Sequence, residues 1–363
     1  VADIAQAPLP VTPAAAPAAR KARGGTTLWR YVLVRFLLIF PTIFILVTTV
    51  FLMMRVTGDP ITAALGGQLT SAQLAERIEA AGYDRPLIVQ YLEYLGQIVR
   101  GDFGTTLDGQ PVTSVLLRYG GATLELAFYA LIVAFVVGIP LGMLAAAIRD
   151  RWGDAVLRVF AILCYATPVF FAGLMLKLVF GSWLGVLPTS GRASPRMELL
   201  LSRLDGATGI YTIDAIRTGN GALIGDVLAH AVLPGLALGL LTAGVFLRLV
   251  RTNVIGTLAT PYVDAARSRG VSEFRLVRKH AYKPALIPII TVIGLQIAML
   301  LGGAVLTETT FEWMGLGYQL SEFLKARDYV AVQGIVALLA VIVALTNFIV
   351  DIIAAFIDPR VRY

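Results

Sequence analysis

Residues 260–288 read TPYVDAARSRGVSEFRLVRKHAYKPALIP, a polar and strongly basic stretch set between two long apolar runs. Its local signals are those of a helical hairpin. Thr260 followed by Pro261 predicts a helix start, because a threonine hydroxyl can accept from an orphaned backbone N–H and proline at the first helical position gives up only a donor that had no partner. Asp264 falls in the first turn, where the helix dipole favours a carboxylate, and Gly270 supplies the left-handed residue that ends the helix. Ser272 predicts the cap of a second helix, from Glu273 to about residue 283, stopped or kinked by Pro284. Arg267, Arg269, Arg275, Arg278, Lys279 and Lys283 concentrate positive charge on one side of whatever the flanking runs cross.

Those runs cross a membrane. With 363 residues, 57% of them hydrophobic and 15% charged, the chain is far more apolar than a soluble domain. The net charge of +7 therefore reads as topology, through the positive-inside rule, and not as affinity for nucleic acid. Cys164 is the single cysteine, which excludes an intrachain disulfide or thiolate cluster and leaves a packing residue.

Residues 1–28 are rich in Ala and Pro, with Arg20, Lys21 and Arg23, and predict a disordered cytoplasmic tail because they bury too little to offset ordering entropy. The first span is 29–54, whose apolar run from Tyr31 to Met54 is interrupted only by Arg35, with Pro41 as a candidate kink. Residues 55–118 carry both signs of charge and predict an extracytoplasmic subdomain with short amphipathic helices at 71–78 and 87–99. Residues 119–363 form the remaining core. It comprises spans at 121–148, 155–183, 226–250, 285–306 and 329–357, an outer loop at 188–225 with a helix at most over 198–204, and a cytoplasmic hairpin region at 253–284. Within these bounds 13 Lys and Arg fall in the tail, the turn at 149–154, the hairpin region and the C-terminal residues 358–363, 72 residues in all, against 11 in the 124 residues of the outer segments 55–118, 188–225 and 307–328. Both termini and the hairpin are thus expected inside.

At this point the residues resemble a known family. Asp264-Ala265-Ala266, three residues and Gly270 resemble the EAA loop of ABC import permeases, the hairpin by which such subunits dock on their ATPase. Tyr262, Arg267, Ser272, Glu273, the pair His280-Ala281 and the run 285–288 narrow this to the dipeptide/oligopeptide permease subfamily. Asp264 stands where the general motif has Glu, and a His-Ala form replaces its later element. Arg85-Pro86-Leu87, Gln90-Tyr91, the run 101–104, the run 307–311 with Gly315-Leu316-Gly317, and the basic end at 358–362 resemble the same subfamily.

The resemblance implies an all-α polytopic protein with six transmembrane helices, the type I ABC importer permease fold. It implies a multi-pass subunit of the bacterial cytoplasmic membrane that imports peptides, or another family cargo such as a nickel complex or glutathione. Its expected partners are a homologous permease, two ATP-binding subunits or one fused ATPase, and an extracytoplasmic solute-binding protein. ATP and Mg would sit on those ATPase partners, with no cofactor, metal or catalytic residue here. By this reading Tyr262, Asp264, Ala265, Ala266, Arg267, Gly270, Ser272 and Glu273 couple to the ATPase.

The residues agree with a borrowed motor: no Gly-x-x-x-x-Gly-Lys-Ser/Thr loop cradles a phosphate, and no nucleophile or zinc motif is present. An ion-coupled secondary transporter would ordinarily need mid-membrane carboxylates and an inverted repeat, where Asp351 alone is a deep candidate. An intramembrane enzyme lacks its nucleophile and base. Ionisable groups at membrane depth are functional candidates, so Glu125, Lys177 and Glu308 are the candidates for the translocation path or its gate. His230 has no carboxylate or second His three or four residues on, and reads as structural. The pairs Gly138/Gly142, Gly181/Gly185 and Gly235/Gly239 predict close helix packing. The mixed charges of 188–225 fit either a surface that grips the binding protein or receives its cargo, or a solvated and partly disordered loop, since an idle loop carries mixed charge as well.

Overall fold

The computed structural model describes residues 28–56, 60–67, 69–80 and 82–357; the expected tail and the basic C-terminus lie outside them. The described chain is helical. Helix α1 (Leu28–Val56) crosses once and is followed by α2 (Pro60–Leu65), α3 (Ser71–Ala80) and α4 (Leu87–Val99). Then come α5 (Val112–Ala147), α6 (Trp152–Ala166), α7 (Val169–Trp183), α8 (Pro195–Ser202) and α9 (Tyr211–Thr218). Helix α10 (Gly221–Leu258), the hairpin helix α11 (Pro261–Ser268), a continuous helix α12 over 273–311, α13 (Leu316–Lys325) and α14 (Tyr329–Ile357) complete the order.

Helix α10 is the hub. Of its most apolar window 61% is buried within the chain, against 17–33% for α1, α5 and α14, and it packs on α5, α6, α7 and α12. Lipid tails are as apolar as leucine, so helices associate in a bilayer by close packing, which small residues permit. A Cβ on Gly138 would stand 2.7 Å from the Ala243 carbonyl oxygen, and one on Gly239 2.6 Å from that of Ala130. Gly142 meets the Leu247 carbonyl and Gly244 that of Ala161 just as closely, the latter beside Cys164. Two of the three expected glycine pairs thus seat α5 on α10. The third does not: Gly181 faces Thr189 of its own connection, and Gly185 (φ +64°) stands in open space as a left-handed turn residue.

The expected third span is corrected to a broken one. Helices α6 and α7 meet at 106°, because Thr167, preceding Pro168, is forced to extended geometry (φ −78°, ψ 126°). Helix α5 starts earlier than expected, just after Pro111, and takes 112–118 from the expected outer subdomain. Helix α10 is longer at both ends, started by Asn220, whose side chain accepts from the N–H groups of Ala222 and Leu223. The 188–225 segment holds two helices, and its Ala193, Leu201 and Ala215 form a small core with Leu223 and Val227 of α10. Helix α13 is a further element not expected.

Two prolines inside the long helices, Pro140 and Pro284, follow widened turns, whereas Pro41 and Pro234 lie in uninterrupted α-helix. A π-turn at Ala134–Gly138 precedes Pro140, and another at Leu276–Ala281 precedes Pro284. In each case the carbonyl four residues back, on Val136 or His280, lies inside the widened turn, where the pyrrolidine ring does not collide with it. Pro284 therefore neither stops nor visibly breaks α12, contrary to expectation. The His280 carbonyl, deprived of the Pro284 N–H, accepts from the Tyr262 hydroxyl at 3.2 Å.

Two antiparallel contacts fix the outer helices. Arg35 of α1 pairs with Asp351 of α14 at 3.1 Å, and Phe36 lies edge-on to Phe348. Asp351 is thus not a deep, isolated carboxylate but one partner of an ion pair toward the helix ends. At the start of α14, the buried Asp328 accepts from the N–H groups of Leu107 and Ala331. On the hairpin side, Arg251 of α10 grips the fully buried Asp154 of α6 through two bonds of 2.6 and 2.7 Å. Removing one partner of a buried pair strands the other's charge. Arg251→Ala should cost about 3 kcal/mol, the low end for such a loss because Arg251 keeps some solvent contact. Arg158→Ala, whose side chain is 53% exposed, should cost less than about 1 kcal/mol. Thermal unfolding of the purified protein in detergent should rank the two variants in that order.

Candidate functional site: the helical hairpin

The hairpin is built on four buried anchors. Val263, Leu276, Val277 and Ala281 enter one core cluster with Val250, Val254 and Leu258 of α10 and with Ala285 and Ile289 of α12. The apolar side of α11 and of the π-turn is therefore continuous with the bundle, and the other side is left free. That free side carries Tyr262, Asp264, Ala265, Gly270, Ser272 and Glu273, all exposed. Ala266 turns inward and is partly buried, so only the first of the two alanines faces out.

Arg267 locks the two arms together. Its Nε donates to Glu273 at 2.6 Å and its Nη1 to Asp264 at 2.5 Å, so one guanidinium bridges both helices. The paired carboxylates, Glu273 foremost, push its pKa still higher. Gly270 turns the chain with φ +80°, and no atom lies within 4 Å of where a Cβ would stand. The glycine is thus required by backbone conformation alone. The expected side-chain caps are corrected: Thr260 and Ser272 both occupy the N-cap position, yet neither side chain accepts from the helix. The Thr260 hydroxyl instead donates back to the Thr257 carbonyl.

Sequence reasoning missed Phe274, 68% exposed at the start of the second arm. Its signal was an aromatic residue in an otherwise charged turn. Arg269, Arg275, Arg278, Lys279 and Lys283 are also exposed. The arrangement offers a rigid, basic ridge with an apolar ring at its tip, suited to seating in a groove on a partner with acidic rims.

The residues expected for the path sit at the opposite end, and each is bound. Glu125 of α5 pairs with the buried Arg192 at 2.5 Å and accepts from the Thr212 N–H at 2.7 Å and from its hydroxyl. Arg192 also donates to the Gly209 carbonyl and lies 3.7 Å above the Tyr211 ring and 5.5 Å from that of Trp313. Burial pushes the Tyr211 hydroxyl up to about 12, so it remains a neutral donor to Glu198. Glu308 is wholly buried and accepts from the Thr123 hydroxyl and the Tyr318 N–H at 2.7 and 2.8 Å. Lys177 donates to the Thr310 carbonyl at 2.8 Å, near the end of α12 where a cation is favoured. His230 bonds the Asp226 carbonyl one turn back at 2.8 Å. Glu125 and Glu308 thus knot α5, the 188–225 segment and the turn after α12 into one unit. Arg192, expected only as one of several loop charges, is its centre. Glu125→Gln strands the Arg192 charge, which should cost about 3–5 kcal/mol locally. Limited proteolysis should then cut within 188–225 while leaving the spans intact; resistance equal to wild type would mean the ion pair does not hold the segment.

Residues 138–363 match the family of binding-protein-dependent transport system inner membrane components, and residues 28–112 match that system's N-terminal membrane-component family. The dipeptide transport system permease protein of Alkalihalophilus pseudofirmus is 33% identical over 335 residues, covering 92% of this chain and 99% of the relative. A probable D,D-dipeptide permease of Escherichia coli strain K12 is 38% identical over 307 residues, covering 84% and 89%. The glutathione permease of Salmonella choleraesuis is 33% identical over 335 residues, covering 92% and 99%. Among solved structures, the inward-facing MetNI methionine ABC transporter matches with a TM-score of 0.52 at 17% identity, over 68% of this chain and 97% of that one. That likeness is one of fold, the type I ABC importer permease. Family matches over most of the chain and relatives above 30% identity along nearly its whole length place it: the chain belongs to the family of binding-protein-dependent transport system inner membrane components.

Proposed function

We propose that the chain is the permease subunit of an ATP-driven importer of peptides, that it forms the translocation path together with a homologous permease, and that it hydrolyses nothing itself. The observation that carries the coupling role is the hairpin: an exposed, Arg267-braced ridge anchored in the same core as α10 and α12. A push on that ridge reaches α12 through continuous helix and α10 through the shared core. Separate ATP-binding subunits, as two chains or one fused chain, seat the ridge; ATP and Mg belong to them. Peptide cargo is supported by the dipeptide permeases among the relatives, and the glutathione permease carries a compound of the same chemical class.

The hairpin and both termini face the cytoplasm in this reading. The 188–225 segment then faces the solute-binding protein, and its helices carry exposed Leu199, Leu200, Ile213 and Ile216 beside Arg196, Arg203 and Arg217. A folded surface of that kind, clasped to α5 through Arg192, suits a docking protein better than an idle loop does.

Gly270→Val forces a branched side chain into left-handed geometry at about 1–2 kcal/mol, whereas Asn at the same position tolerates it. The Val variant should insert normally yet lose ATPase co-purification and peptide uptake, with Asn retaining most of both. Normal assembly and uptake by Gly270→Val would remove the hairpin from the coupling role. For orientation, Ser268→Cys in a Cys164→Ala background should resist impermeant thiol reagents in intact cells, and Asp108→Cys should react. The reverse pattern would invert the topology.

A further inference from the structure

We propose that α4 is an in-plane interfacial helix, with its face of Ile88, Leu92, Leu95 and Val99 resting on lipid acyl chains in the leaflet opposite the hairpin. Three observations combine: the depth at which α4 meets α1, the arrangement of polarity around its axis, and the exposure of its apolar side.

The depth follows from α1. Its uncharged run between Arg35 and Arg55, residues 36–54, is about 29 Å long at 1.5 Å per residue, close to the thickness of a hydrocarbon core. Tyr91 of α4 bonds the Thr48 hydroxyl of α1 and packs on Phe51, and Tyr94 stacks on Phe51 at 5.5 Å. Thr48 and Phe51 lie about 6–11 Å below Arg55 along that helix, again at 1.5 Å per residue. The return of the chain agrees: Phe103 lies against Gly334, in the second turn of α14, which runs antiparallel to α1. Residues 87–103 therefore enter and leave at the boundary of headgroups and acyl chains, the depth at which amphipathic helices lie in the plane of a membrane.

The polarity is arranged to match. Gln90, Glu93, Tyr94 and Gln97 recur at helical spacing and line a polar pocket with Arg55, Tyr83 and Asp102, toward the charged end of α1. Gln90 donates to the Tyr83 and Arg85 carbonyls, and Glu93 pairs with Arg85. Leu95, Ile98 and Val99 share an apolar groove with Phe40, Ile43, Phe44 and Val47, toward the middle of α1. So the polar side faces the water boundary and the apolar side faces the bilayer centre. Ile88, Leu92 and Val99 are 71%, 61% and 87% exposed, a side that a helix in water would have turned inward. Its exposed face continues that of Phe40 and Phe44 on α1, which already meets lipid by virtue of crossing the membrane. Acyl chains are thus the occupant that depth, charge and continuity select.

The test is nitroxide accessibility in the assembled transporter reconstituted in liposomes. Single cysteines replace Ile88, Leu92 or Val99 in a Cys164→Ala chain, with Glu79→Cys on α3 as the aqueous reference. Labels on α4 should collide several-fold more often with oxygen than with a water-soluble nickel chelate, and the Glu79 label should do the reverse. Equal nickel access at Leu92 and Glu79 would place α4 in water and overturn the proposal. So would shielding from both reagents, the mark of a protein partner over that face. Should a label disturb assembly, lipids carrying an acyl-chain diazirine can be photolysed around the unmodified complex. Adducts within 87–99 are expected; adducts on α1 with none on 87–99 would refute it.

Discussion

The structure depends on how closely α10 is approached by its neighbours. In water, a helix bundle is driven together by burying apolar surface; between helices already in lipid that drive is absent, and contact distance decides. The glycines at 138, 142, 239 and 244 let a backbone carbonyl occupy the space where a Cβ would stand. They bring α5 and α6 against α10, and the polar contacts at both ends are possible only because the helices are so close. The Arg251–Asp154 pair clamps the α6–α10 seam on the hairpin side, and the Glu125–Arg192 pair ties α5 to the loop leading into α10 on the far side.

What was legible in the sequence was what local chemistry controls. Apolar length gave the first and last spans nearly to the residue, and Pro261 and Gly270 marked the ends of α11 as observed. The break at Thr167 was not read, because hydropathy is blind to backbone dihedrals and Pro168 lies in an unbroken apolar run. The Gly181/Gly185 spacing matched a packing motif, yet the left-handed φ of Gly185 made it a turn. The site divides in the same way. The hairpin is one continuous stretch, so its residues could be named together, apart from Phe274, whose one signal was an aromatic ring in a charged turn. Glu125 and Arg192 lie 67 positions apart, and only the folded chain makes their charges a pair.

That pair also explains why the far side can be polar without being loose. A buried ion pair is expensive to desolvate, and each further hydrogen bond to its members offsets part of that cost, although the buried Arg192 Nε has no hydrogen-bond partner. Here Thr212 supplies two bonds to Glu125, and Gly209 accepts from Arg192 between the rings of Tyr211 and Trp313. Glu308 is handled by the same rule, with Thr123 serving both its carboxylate and the Leu316 N–H. Each carboxylate therefore ties together segments distant in sequence, which a hydrophobic contact would do with less directional control.

The two ends are joined by α12. Had Pro284 broken it, the hairpin would hang from the bundle by a flexible joint, and a displacement there would dissipate in φ and ψ changes. The π-turn before Pro284 instead keeps one helix running over 273–311, about 58 Å at 1.5 Å per residue. The Tyr262 hydroxyl takes up the carbonyl that proline leaves unpaired, so the first hairpin arm is fastened to the second at the point where the helix is weakest. Glu308, near the other end of α12, holds the turn that leads into α13 and touches α5 through Thr123. Packed cores rearrange between discrete arrangements and do not bend continuously. In the coupling role proposed for the hairpin, a motion imposed there would pass along α12 to Glu308, whose contacts with Thr123 and Tyr318 join α12 to α5 and α13.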